Sequence, residues 1–422
     1  MTDHFGIRRR TALGLLGGAL SATLVSGMAR SAAAIGTSLP AWQPGMLDIH
    51  HISTGRGNCA LFIFPDGTTA MIDAGDLAGS EPQYLIDFKP DASRRSGEWM
   101  GRYAKRHLAA AGRREIDYFI LTHFHSDHMG SVVPGSPQGP DNAYCLTGVS
   151  DVAQILPINR FLDRDFPEYS YPVPQADKST LNYMAFVKYQ QAHGKKVERF
   201  KPGSNSQVAL LRAPNKFANF QVQNLVSNGE VWTGHGSETV KRFPELSDLA
   251  KADYPTENMC SLALRLSYGK FDYYTGGDLP NFDNYGAAPW RDIETPVAQV
   301  TGPVEVAVVN HHGYTDAAGP GFVSALRPQQ FIIEAWDSAH PVVNTLANMQ
   351  SKLLFPADRE IFETAMKPEN VIANKEIRKM TSTNGHVVVR VAPGGDTYEI
   401  FVTTNADESD RIVTAHGPYR CN

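Results

Sequence analysis

The apolar positions of this chain fall in short runs separated by turn residues. "MLDIHHIS" (46–53), "CALFIFP" (59–65) and "TTAMIDAG" (68–75) read as strands, and "PDG" marks a hairpin between the last two. The spacing predicts a helix from Arg94 to Ala111, followed by "IDYFIL" (116–121) as a buried strand. Residues 134–150 and 163–178, rich in Pro, Gly and aromatics, read as loops, and "TLNYMAFVKYQQAHG" (180–194) as an amphipathic helix with a Gly stop. Strand patterns return at "FQVQNLV", "SLALRLSYG", "FDYYTGG", "VEVAVVN" and "QQFIIEAW". The last seventy or so residues predict one or two helices and a hairpin, "HVVVRVAPGGDTYEIFVTT". Strands interleaved with helices predict a layered α/β domain.

The N-terminus departs from this pattern. Arg8, Arg9 and Arg10 precede a modest apolar stretch interrupted by glycines, which ends in Ala32-Ala33-Ala34. Residues 1–34 therefore read as an export signal, of twin-arginine type or alternatively an ordinary Sec signal. The expected location is periplasmic or secreted. Beyond this segment no apolar run of 18 residues occurs, so no stable membrane span is expected. The 422 residues are 42% hydrophobic and 20% charged, enough for a large core, and the formal charge of -5 excludes a basic protein that coats nucleic acid. Nucleic acid enters only as a substrate, and nothing specifies an oligomeric state. Four cysteines (Cys59, Cys145, Cys260, Cys421) allow three complete pairings but form no C-x-x-C zinc knuckle.

The chemistry is concentrated in "LTHFHSDHMG" (121–130). His123 and His125 alternate at a strand end, and Asp127 and His128 follow as the chain turns. Imidazoles and carboxylates suit Zn²⁺ and related divalent ions, and four such groups in six positions have no ordinary use in a core.

H-x-H-x-D-H in this position resembles the metallo-β-lactamase superfamily. "TTAMIDAG" resembles the family's strand ending in a supporting aspartate, here Asp73. "FDYYTGGDL" is similar to the segment that supplies a metal-bridging aspartate, Asp278, and "VAVVNHHG" to the one that supplies the last histidine, His311 or His312. Within the superfamily the likeness is to the hydrolase domain of ComEC-type competence proteins. "GRGN" (55–58) stands for that family's "GQGD", "ENMCSL" places Asn258 and Ser261 near the site, and His340-Pro341 matches a late "HP". No histidine follows "FQVQNLV", where the first metal's third ligand belongs. Asn228 stands there, and His235, seven residues on, is the candidate replacement.

The resemblance implies an α/β, four-layer αββα sandwich over 35–345, with a small C-terminal α+β extension over 346–422. It implies a hydrolase holding one or two divalent ions, Zn²⁺ first, with Mn²⁺ or Fe as alternatives. Asp127 would ligate the second metal and orient an activated water; His340 would be a further catalytic group; Asp73 would fix a ligand's tautomer. The substrate is a phosphodiester or other small molecule. The alternatives are hydrolysis of a carbonyl ester, lactone or amide, and a non-catalytic metal-binding protein. Phe166, Tyr169 and Tyr171 either give flat faces for a substrate or pack their own loop.

Overall fold

A computed structural model describes residues 34–78 and 83–422. The expected export signal lies outside the described residues, apart from Ala34. The strands are β1 (Leu47–His51), β2 (Ala60–Ile63), β3 (Thr69–Ile72), β4 (Ile116–Ile120), β5 (Ile158–Asp163), β6 (Lys196–Arg199), β7 (Phe220–Ser227), β8 (Glu230–Trp232) and β9 (Thr239–Lys241). They continue with β10 (Ala263–Tyr268), β11 (Phe271–Thr275), β12 (Val306–Val308), β13 (Gln330–Ile333), β14 (Glu360–Glu363), β15 (His386–Val391), β16 (Thr397–Thr403) and β17 (Ile412–Arg420). Among the described residues these form two sheets, ordered β17-β16-β15-β1-β2-β3-β4-β5-β6 and β14-β13-β12-β11-β10-β7-β8-β9.

The period-two alternation of the strands builds the layers. Phe62, Tyr118 and Ile120 of the first sheet meet Leu264, Phe271, Tyr273, Val306 and Ile332 of the second in one core. Their neighbours Leu61, Ile63 and Phe119 point the other way. They pack under the helices α1 (Ser96–Ala110), α3 (Val149–Ile155) and α4 (Lys178–Ala192), through Tyr103, Val152 and Phe186. A four-residue helix, α2 (Ser126–Met129), carries part of the histidine motif. On the far face Tyr274, Ala307 and Ile333 pack under α5 (Glu294–Thr301), α6 (Pro320–Leu326) and α7 (Val343–Gln350), through Val297, Phe322 and Leu346. The result is the expected α/β sandwich of helix, sheet, sheet and helix.

Residues 346–422, expected as a small C-terminal α+β extension, add strands to both sheets. Strand β14 pairs parallel with β13, and β15 lies antiparallel to β1, with Leu47 opposite Val391 and His51 opposite Val387. Val387, Val389 and Val391 bury their alternating face between the sheets, which a free-standing hairpin would leave in water. A buried ion pair fastens the join: Arg390 donates to Asp48 at 2.9 and 2.6 Å. Strands β5 and β17 escape the sequence pattern because the polar Asn159-Arg160 interrupts the first and the strand-breaking Gly417-Pro418 the second. All four cysteines are free thiols, and Cys59, Cys260 and Cys421 are buried. Among the described residues no helix is long and apolar enough to cross a membrane.

Candidate metal centre

The histidine motif leaves the end of β4 and turns into α2, with His125 as the residue that caps the helix start. Close backbone approach makes this turn possible. Asn58 N–H donates to the Asp127 carbonyl at 2.8 Å. A Cβ at Gly75 would lie 1.8 Å from that carbonyl oxygen, and one at Gly57 2.4 Å, so both positions require glycine. The glycines of "GRGN" and "IDAG" are thus the floor of the ligand loop.

Two groups of ligand atoms converge. Asp127, His128, Asp278 and His312 form one, all buried; His123, His125 and Asp278 form the other, with His125 exposed. Asp278 belongs to both. In the first-named group His128 Nε2 lies 3.4 Å from Asp127 Oδ2 and 3.2 Å from Asp278 Oδ1, and His312 Nε2 lies 2.9 Å from Asp127 Oδ2 and 3.5 Å from Asp278 Oδ2. In the other group His123 Nε2 is 3.1 Å from His125 Nδ1 and 3.6 Å from Asp278 Oδ2. Ligand atoms about 2.0–2.1 Å from a tetrahedral ion lie roughly 3.3 Å from one another, so both groups fit a first-row divalent cation.

Hydrogen bonding supports that fit. His128 Nε2 and Asp278 Oδ1 are buried and have no hydrogen-bond partner. The Nδ1–H of His128 donates to Asp73 at 2.7 Å, leaving its Nε2 as a lone pair aimed at carboxylate oxygens; His312 Nδ1–H donates to the Glu334 carbonyl at 2.8 Å, and its Nε2 lies 2.9 Å from Asp127 Oδ2 and accepts the Trp336 indole N–H at 3.1 Å. Acceptors facing acceptors at this depth call for a cation between them. Burial pushes the Asp127 and Asp278 carboxyls up, but His128 and His312 outweigh it and hold both well below the usual range. Burial alone would lower His312, yet Asp278 and Asp127 raise it to about 10. The pocket is built for positive charge.

The structure groups the other candidate residues around these two clusters, His235 excepted. Asp73, held by Thr122 N–H and Oγ–H at 2.8 Å each, orients His128. Ser261 Oγ accepts the Asp278 N–H at 3.2 Å, and Asn258 Nδ2 lies 3.1 Å from His311 Nε2. Of the two adjacent histidines, His312 joins the ligand group. His311 is held between Asn258 and Asp316 (2.5 Å from its Nδ1), with its Nε2 3.8 Å from Asp278. Both take positive φ (46° and 53°), a costly turn that sends their rings apart. His340 does not reach the ligand groups: its ring stacks on His312 at 4.8 Å and meets Trp336 at 4.9 Å, a buried wall behind the ligand.

His235 is the exception. It lies exposed in the turn between β8 and β9, outside both ligand groups. That turn belongs to the edge of the second sheet, where β9 pairs only with β8, so the hairpin tip points no ligand inward. Tyr169 packs its own loop, whereas the half-buried Tyr171 packs against the core of the second sheet. The Tyr169 hydroxyl donates to Asp163 at 2.8 Å in the core, and Phe166 meets the Tyr169 ring at 6.2 Å. Sequence reasoning missed Glu334 and Trp336, which follow β13 and hold His312. Their only signal was position after a strand end.

Residues 53–143, which carry β2 to β4, Asp73 and the histidine motif, match the family model of the metallo-β-lactamase superfamily. Comparison with curated proteins gives no match. Among solved structures the chain is similar to a proposed metal-dependent hydrolase from Parabacteroides distasonis (11% identity, 75% of this chain and 92% of that one, TM-score 0.34). It is also similar to the metallo-β-lactamase fold protein YhfI from Bacillus subtilis (12%, 83% and 98%, TM-score 0.33). A third is the short form of human tRNase Z (9%, 82% and 99%, TM-score 0.31).

Proposed function

We propose that the chain is an exported, metal-dependent phosphodiesterase. The observation that supports this most is the double use of Asp278, which sets two cation positions side by side. Two adjacent divalent cations, with Zn²⁺ the first candidate, supply Lewis acidity at both the entering and the leaving oxygen of an in-line displacement at phosphorus. The chain's own side chains do the rest. Asp73 and the Glu334 carbonyl fix the tautomers of His128 and His312. Asp127 accepts a hydrogen bond from the attacking water and so aims it. Asn258 and His311, half-buried beside Asp278, are the side chains nearest to hand for the non-reacting oxygens of the substrate.

The test is an assay of the metal-loaded protein against bis(p-nitrophenyl) phosphate, p-nitrophenyl acetate and a simple lactone. Turnover of the diester, lost on chelation and in Asp127→Ala, is expected. Turnover of the ester or lactone without the diester would overturn the phosphodiesterase reading in favour of carbonyl chemistry, and no turnover of any would leave a cation-binding protein. The export part rests on Arg8 to Arg10 and the Ala32-Ala33-Ala34 ending. A reporter fused behind residues 1–34 that stays in the cytoplasm would contradict it.

A further inference from the structure

The group of His123, His125 and Asp278 is the less buried of the two. His123 and His125 have one residue between them, His125 is exposed, and among the described residues no third histidine joins them. Something else must hold two imidazoles at 3.1 Å from each other. The intervening residue, Phe124, is gripped twice. Its backbone N–H donates to Glu257 Oε1 at 2.7 Å, and its ring lies under the Arg164 guanidinium, with Cζ 4.5 Å from the centroid.

Arg164 and Glu257 are themselves one unit. Arg164 is fully buried and donates through Nε and Nη2 to the two Glu257 oxygens at 2.7 and 2.5 Å, a bidentate fork. Its Nη1 donates to the Tyr171 carbonyl and to Asn228 Oδ1, each at 3.0 Å, and Asn228 Nδ2 donates back to the Arg164 carbonyl at 2.9 Å. Asn228 occupies the place after β7 where a third ligand was expected, and it spends both ends of its amide on Arg164. Glu257 immediately precedes Asn258, the partner of His311. One ion pair thus ties the ligand loop, the end of β7 and the segment before β10.

We propose that Arg164 and Glu257 are positioning residues for the first cation site, fixing His123 and His125 through Phe124 in place of a third histidine ligand. A buried ion pair is a poor source of net stability, because desolvating both charges offsets their attraction, so its presence beside this loop is better read as specifying geometry. Neither side chain touches the cation. The pair therefore acts on the His123–His125 site and leaves the Asp127–His128–Asp278–His312 site, anchored by Asp73 and Glu334, unaffected.

The experiment is an equilibrium Zn²⁺ titration of the full chain against a competing chelator. The two binding steps are assigned with His125→Ala, which lacks the first site, and Asp127→Ala, which lacks the second. In Glu257→Gln, and in the charge-neutral double variant Arg164→Met with Glu257→Gln, the first-site Kd is expected to rise about 10–100-fold, the range for loss of an outer-shell partner. The second-site Kd should change by less than about twofold, which also reports that the fold is intact. An unchanged first-site Kd in a folded variant, or equal weakening of both sites, would overturn the proposal. If the double variant does not fold, Glu257→Gln, which is isosteric, decides alone. The inference needs cation binding but no particular reaction: two bound cations with no diester turnover would sink the proposed function and leave this pair's role standing.

Discussion

The two halves of the metal centre share Asp278 and little else. On one side Asp127, His128 and His312 are buried, and both histidines have their second nitrogen committed, to Asp73 and to the Glu334 carbonyl. On the other, His125 is exposed, and His123 Nδ1 has only a Thr122 hydroxyl at 3.2 Å. The Asp127 side is preorganised by direct hydrogen-bond partners of its ligands, and the His125 side through the backbone of the residue between its ligands. Ligand count alone would call the second half incomplete. Its architecture indicates a weaker site held from one step further out.

The change with the largest effect should be at the shared residue. Asp278→Ala removes a ligand from both halves, so both Zn²⁺ affinities should fall by more than the roughly 10–100-fold typical of an outer-shell change. Metal analysis after dialysis should find neither ion retained. Retention of one full equivalent would show that Asp278 serves only one half.

Asp73→Asn sharpens the comparison. The Asn keeps the size of the side chain but weakens the acceptor that fixes His128, so second-site affinity should drop about 10–100-fold with the first site little changed. A drop confined to the first site would contradict the assignment of Asp73. By contrast, His235→Ala should alter neither affinity, and loss of a bound ion in that variant would make His235 a ligand after all.

A smaller effect concerns the fold away from the centre. Burial pushes His50 down to about 4 and His386 to about 3, both beneath α1. The unfolded chain binds protons below about 6.5 that these native imidazoles refuse, so stability is full above that pH and declines toward pH 4 and below. Each histidine contributes a slope of up to about 1.4 kcal/mol per pH unit. Urea midpoints at pH 5 and pH 7 should differ less in His50→Gln than in the wild type; an equal difference would remove His50 from the account.

What the sequence made legible follows the range of the interactions. His123 to His128 stand together in six residues, so their chemistry could be read directly, and Asp73 and Asp278 lie at the ends of clear apolar runs. The choice between His311 and His312 depends on two successive left-handed residues, which no pattern of side chains announces. Arg164 and Glu257 are 93 positions apart and meet through a loop, so neither periodicity nor spacing points to them. The same holds for β14 and β15. Their apolar faces were visible, but the strands they would pair with were not, and a C-terminal extension was expected where the sheets are completed.

The two halves of the centre should differ in strength, each depending on its own histidines. A Zn²⁺ titration of the wild-type chain with a competing chelator tests this most directly. Two separated steps are predicted, the tighter one absent in Asp127→Ala and the weaker one absent in His125→Ala. A single class of two equal sites, or the tighter step vanishing with His125, would contradict it.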